Sequence, residues 1–160
     1  MKTVILCRHS KSSWKFPCKD IYRPLNERGL RQGAIVAAHP ITKPDLIVSS
    51  PASRAYATAL LYFEEQLWNI GDLILDKTLY EASLDELIHF ISNLDDSHKS
   101  VMLFGHNPGF NQLFTFITGR DQPNMVTSSR VTLVLDIDRW IDVAQGCAQT
   151  YESIQPSDLE

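Results

Sequence analysis

Short apolar runs alternate along this chain with segments of helical period, and that alternation narrows the fold more than any other feature. Runs at 3–7, 46–48, 101–104 and 131–135 read as strands, with a weaker one at 73–75. The intervening stretches 26–38, 53–68, 84–94 and 110–117 read as helices. In the second, Ala55, Ala59, Leu60, Phe63 and Leu67 recur at helical spacing; in the third, Leu84, Leu87, Ile88, Ile91 and Leu94 share one face. Strand and helix in turn predict an α/β protein, a three-layer α/β/α sandwich with a mainly parallel central sheet. The 160 residues suit a single domain over 1–150. Polar residues and Pro156 predict a loose tail over 151–160.

Three strand ends share a design. "VILCRH" runs into "SKSSW", "LIVSS" into "PASRAYATA", and "VMLFGH" into "NPGFNQL". Each passes from an apolar strand through small or polar residues into a loop or helix. In open α/β sheets ligands gather outside the carboxyl ends of the strands. If these three ends are neighbours, Arg8, His9, Arg54 and His106 converge there. Two guanidiniums offer paired hydrogen bonds to a phosphoryl group, and helix starts near Pro51 and Pro108 add backbone donors. A neutral imidazole whose second nitrogen is held by an acceptor is a nucleophile towards phosphorus. The surrounding cations would stabilise charge on the equatorial oxygens, so the pattern calls for no metal and no cofactor.

Charge distribution supports a local anion site. Residues 1–31 carry eight Lys and Arg against two acidic residues, a net +6, while the remainder carries seven against seventeen, a net −10. A basic segment on an acidic body suits a small anionic group better than nucleic acid. No run is long enough to span a bilayer, and the N-terminus lacks the h-region of a signal peptide, so neither a membrane nor secretion is expected. Cys7, Cys18 and Cys147 are odd in number and without metal-ligand spacing, which favours a reduced, cytoplasmic protein.

The motifs "RHSKSSW", "RPLNERGLRQG", "SSPASRAYATA", "LYEAS" and "GHNPGFNQL", in this order, resemble the histidine phosphatase superfamily. More narrowly they resemble its SixA-like phosphohistidine phosphatase branch, over nearly the whole chain. The resemblance implies a phosphoglycerate-mutase-like fold and a phosphohistidine enzyme intermediate. It places the nucleophile at His9 and the phosphate ligands at Arg8, Arg54 and His106. It offers Glu81 of "LYEAS" as proton donor. Ser10 stands where the family usually has glycine. The short chain lacks the insertions of the mutases. The implied substrate is phosphohistidine on a protein, such as a histidine phosphotransfer domain. The alternatives are a small phosphate ester of a sugar or nucleotide, and a non-catalytic phosphate-binding module.

Other residues admit plainer readings. Asn107, Lys11 and Ser13 are accessory candidates for touching substrate, or parts of solvated turns. Arg23 and Arg28 are expected to hold the N-terminal loop or to form a basic rim, with a structural role favoured for both. His39, His89 and His98 lie away from the strand ends and read as surface or packing residues. Cys7 is expected to face the core, because a cysteine phosphatase loop needs arginine where Ser13 stands. Trp68 and Trp140 read as packing anchors, and Trp14, just behind the candidate loop, is the exception.

Overall fold

The computed structural model describes residues 1–121 and 124–160. Six strands form one sheet: β1 (Lys2–Arg8), β2 (Leu46–Ser49), β3 (Leu73–Leu75), β4 (Ser100–Gly105), β5 (Arg130–Leu135) and β6 (Ala148–Ile154). Their order is β3-β2-β4-β1-β5-β6. The first four are mutually parallel, while β5 runs antiparallel to β1 and β6 antiparallel to β5. Five helices are α1 (Glu27–Ala38), α2 (Ser53–Glu65), α3 (Leu84–Ser92), α4 (Gly109–Thr118) and the short α5 (Pro156–Leu159).

Period-two alternation in β1 divides the core. Val4 and Leu6 join Leu103, Leu133 and Trp140 under α3 and α4, whose Leu87, Ile91, Phe110 and Leu113 are buried there. Ile5 and Cys7 join Met102 and Phe104 on the opposite face, under Val36 of α1 and Tyr62 and Phe63 of α2. Both faces of the central strands are therefore covered, which explains why their sequences read as continuous apolar runs. The expected three-layer sandwich is the fold. Trp140 is a packing anchor, with its indole Nε1–H donating to the His98 carbonyl at 2.9 Å.

The expectation of a loose tail after residue 150 is corrected. Ala148–Ile154 is an edge strand paired antiparallel with Arg130–Leu135, with a register shift between Val134 and Leu135, and Leu159 of α5 packs against the α1/α2 side of the core. Gln32 Nε2–H of α1 donates to the Glu160 carboxylate at 2.9 Å. The strand escaped notice because its side chains are mostly exposed, so "AQTYESI" carries no apolar alternation.

Helix α1 is entered through Asn26, whose side chain accepts from the Gly29 N–H at 2.8 Å. Two glycines let α1 lie directly on the loop after β1. A Cβ at Gly29 would stand 2.1 Å from the Lys11 carbonyl oxygen, and one at Gly33 2.5 Å from Ser10 Oγ. Gly29→Ala is expected to lower unfolding free energy by about 1–3 kcal/mol through overpacking against backbone. Urea denaturation measures it, and an unchanged midpoint would mean the loop yields freely.

Candidate active site

Strands β2, β4 and β1 are adjacent and parallel, so their carboxyl ends open on one edge. Backbone pairing continues one residue past each end. The Ser50 N–H donates to the Phe104 carbonyl at 2.9 Å and the His9 N–H to the Gly105 carbonyl at 3.1 Å. These bonds place His9 and His106 side by side, with ring centroids 5.3 Å apart. Arg54 enters from the first turn of α2. The four residues expected to converge thus share one edge of the sheet.

Ser10 fixes the loop behind His9. It is buried, its N–H donates to Thr58 Oγ1 at 2.9 Å, and its Oγ accepts from Ser128 Oγ at 2.8 Å. It is not among the residues with positive φ, so the position makes no demand for glycine on backbone grounds. The Ser10 carbonyl lies 2.8 Å from His9 Nδ1. A carbonyl can only accept, so Nδ1 carries the proton and Nε2 keeps its lone pair. Burial pushes the His9 imidazole from 6.5 down to about 4, and the charges of Arg54, Arg8 and Arg23 act in the same direction. Burial likewise pushes His106 down to about 3. Both rings are neutral at pH 7.

The cations are individually anchored. An Arg8 Nη1–H donates to the Met125 carbonyl at 2.6 Å. Arg54 donates from Nη1 to the Asp20 carbonyl at 2.9 Å and from Nη2 to the Asp20 carboxylate at 3.0 Å. Arg23 donates to Ser12 Oγ and, at 3.1 Å, to the other Asp20 carboxylate oxygen. It therefore holds the N-terminal loop, as expected for it. Tyr80 donates its hydroxyl to Asp20 at 2.6 Å and stands edge-on to His106, ring centroids 5.5 Å apart. The Tyr80 hydrogen bond, with those from Arg23 and Arg54, holds the Asp20 carboxyl well below the usual carboxylate range. Asp20 is therefore an anionic organiser of the arginines rather than a proton donor.

Several buried nitrogens have no hydrogen-bond partner among the described residues: Nε of Arg8, Arg23 and Arg54, and Nδ1 of His106. A buried polar atom left unpaired costs about 1–3 kcal/mol.

The remaining expected residues fare differently. Glu81 is exposed, has φ 51°, and makes no hydrogen bond or ion pair among the described residues. Its place beside Tyr80 puts it at the rim. Asn107 donates to the Met125 carbonyl at 3.1 Å and accepts from the Asn111 N–H at 3.1 Å, which shapes the start of α4. Ser13 Oγ accepts from the Lys15 N–H at 3.1 Å, so it closes a turn. Lys11 is exposed, and its carbonyl accepts from the Asn26 N–H at 3.0 Å. Cys7 is buried, which pushes its thiol up to about 12 and leaves it inert at neutral pH.

Asp20, Tyr80 and Ser50 were not foreseen. Ser50 Oγ lies 2.8 Å from His106 Nε2. Its position at the end of "LIVSS" was the available signal. Asp20 and Tyr80 lie far apart in sequence and meet only through the fold.

The lowered His9 value sets a pH dependence. Protonation removes the Nε2 lone pair, so the neutral ring is lost as pH falls through about 4 and is fully present well above it. If His9 is the nucleophile of a phosphoryl transfer, the acid limb of kcat/KM is expected near pH 4, after correction for ionisation of the phosphate near about pH 6. A limb at the ordinary imidazole value would contradict the burial of this ring.

The sequence pattern of the histidine phosphatase superfamily (branch 1) matches residues 4–99. This chain belongs to that superfamily, and it is a phosphatase. Among solved structures, it is similar to a candidate phosphohistidine phosphatase SixA from Agrobacterium tumefaciens. The two are 30% identical with a TM-score of 0.75, over 82% of this chain and 90% of that one. The protein histidine phosphatase SixA complexed with tungstate shares the fold at 19% identity, with a TM-score of 0.82 over 99% of both chains. A candidate alpha-ribazole-5'-P phosphatase from Escherichia coli shares it at 13% identity and a TM-score of 0.69, over 96% of both. No curated protein matches the chain at a significant level. Among the described residues, no helix is long and apolar enough to cross a membrane.

Proposed function

We propose that this phosphatase works without a metal, through a phosphoryl group carried on His9, and that its substrate is phosphohistidine on a protein. The observation that carries the mechanism is the Ser10 carbonyl against His9 Nδ1, which leaves Nε2 free in a ring kept neutral by burial. Nε2 attacks phosphorus, forming a P–N bond as the bond to the leaving group breaks. Arg8, Arg54 and His106 surround the phosphoryl group, and the charge of the two guanidiniums stabilises its oxygens. Ser50 Oγ, 2.8 Å from His106 Nε2, holds that ring beside His9. Water then attacks phosphorus, the P–N bond breaks, and His9 returns with its lone pair on Nε2. Tungstate, the oxyanion in one SixA complex, has the shape this arrangement would hold.

The protein substrate is supported by similarity to SixA and by the state of Glu81. A departing imidazole needs less help from an acid than an alkoxide does. The exposed Glu81, with no hydrogen bond or ion pair among the described residues, fits a reaction that makes little use of a proton donor. The alpha-ribazole-5'-P phosphatase match favours a second reading, a small phosphate ester. Glu81→Gln separates the two. Hydrolysis of a phosphorylated histidine phosphotransfer domain is expected to change less than about threefold. Alkyl ester hydrolysis is expected to fall by about 10²-fold or more if the acid matters there. A large loss on the phosphohistidine protein would favour the ester reading. In a direct comparison, a phosphohistidine protein should be hydrolysed with higher kcat/KM than any of a panel of sugar and nucleotide phosphates, and the opposite ranking would overturn the assignment.

A further inference from the structure

The loop between β1 and α1 carries a surface that the chemistry at His9 does not use. Its base is pinned by the bridge between Ser12 and Leu25 and by the Ser13 N–H donating to the Pro24 carbonyl at 2.8 Å. Beyond that clasp, Trp14, Phe16 and Tyr22 are 79%, 60% and 64% exposed. Three large aromatics on one nine-residue tip, all turned to solvent, are an expense a soluble protein rarely keeps without a use. Around them Lys11, Lys15 and Lys19 are also exposed. The single acidic residue of the tip, Asp20, has its carboxylate engaged by Arg23, Arg54 and Tyr80, so the loop presents net positive charge on an otherwise acidic molecule.

This surface adjoins the phosphate-binding edge. The Arg23 guanidinium lies over the Trp14 ring, its Cζ 3.8 Å from the ring centroid. Arg23 in turn shares the Asp20 carboxylate with Arg54. One stacked cation and one carboxylate therefore separate the exposed tryptophan from a residue of the candidate site. A small phosphate ester held at His9 would make no use of aromatics beyond that rim.

We propose that the tip of residues 14–22 docks the protein that bears the phosphohistidine, through an apolar patch ringed by carboxylates on that protein. This rests on the reading of the substrate given above and adds the surface that selects it. Aromatic side chains supply contact area at low entropic cost, and the lysines steer an acidic partner. The occupant is a protein with acidic surroundings, because the loop is basic while the rest of the chain would repel such a partner.

The test uses two variants outside the catalytic cluster, Phe16→Ser/Tyr22→Ser and Lys15→Glu/Lys19→Glu, with two probes. The probes are p-nitrophenyl phosphate and a histidine phosphotransfer domain phosphorylated with phosphoramidate and acidic around its histidine. Each variant is expected to lose about 10-fold or more in kcat/KM on the phosphoprotein, through KM, and to stay within about twofold of wild type on the small ester. Equal losses on both probes, or no loss on the phosphoprotein, would overturn the docking surface while leaving the substrate reading in place. Wild-type enzyme that turns over the small ester and not the phosphoprotein would sink the substrate reading, and docking with it. Binding of wild type, but not of the variants, to vesicles of anionic lipid without a selective effect on the phosphoprotein would make the tip a membrane contact and overturn the proposal.

Discussion

His9→Ala is expected to lower kcat by on the order of 10⁴-fold or more, with the protein still folded. The expectation follows from the division of labour at the sheet edge. His9 is the buried imidazole whose proton is assigned to Nδ1 by a carbonyl, at 2.8 Å, and whose Nε2 is thereby left as a nucleophile. In the proposed mechanism Arg8, Arg54 and His106 still bind phosphate in the variant, so phosphate or vanadate binding should survive while turnover does not. Removing the ring also relieves the cost of keeping an imidazole neutral in a desolvated site, so stability should not fall at mildly acidic pH. The measurement is steady-state turnover with an oxyanion titration on the same sample. Activity within tenfold of wild type would mean that water, not His9, attacks phosphorus.

Arg54→Ala carries the second large effect, a fall in kcat/KM of about 10²- to 10³-fold. Arg54 is nearly buried and spends both terminal nitrogens on Asp20, one on its carbonyl and one on its carboxylate. Alanine removes the proposed transition-state cation and also leaves Asp20 with two of its three side-chain partners, Arg23 and Tyr80. Lysine is not expected to restore function, since a single ammonium cannot reproduce the planar fork. A second readout separates this role from general damage. The Arg54 charge helps depress the His9 value, so without it the acid limb of kcat/KM moves upward from about 4. A variant that loses activity with an unmoved acid limb would show that Arg54 does not sit in electrostatic contact with His9.

Most of the framework is readable from the chain because two-sided burial makes the central strands continuous apolar runs. Val101, Met102, Leu103 and Phe104 are all fully buried, and that run announced β4. The end of each such strand then located Arg8, His9 and His106, and the helix after "SSP" located Arg54. What escaped was set by contacts rather than by pattern. β6 is an exposed edge whose pairing with β5 depends on backbone hydrogen bonds, which leave no hydrophobic signature. The end of α2 was overrun, because Trp68 and Leu67 continue the apolar spacing while the helix stops at Glu65. Trp68 is turned against Phe63 at a ring distance of 5.6 Å instead. Asp20 sits in a basic loop where a lone carboxylate reads as a surface residue. Only the fold brings Arg54, from α2, and Tyr80, from beyond β3, onto it.

Rapid-quench labelling with a substrate carrying ³²P tests the central claim most directly. Phosphate should appear on the wild-type protein within the first turnover, in a bond stable to base and labile to acid, and peptide mapping should place it on His9. Label on any other residue, or hydrolysis in a single turnover with no labelled protein at any time, would contradict a phosphoryl group carried by His9.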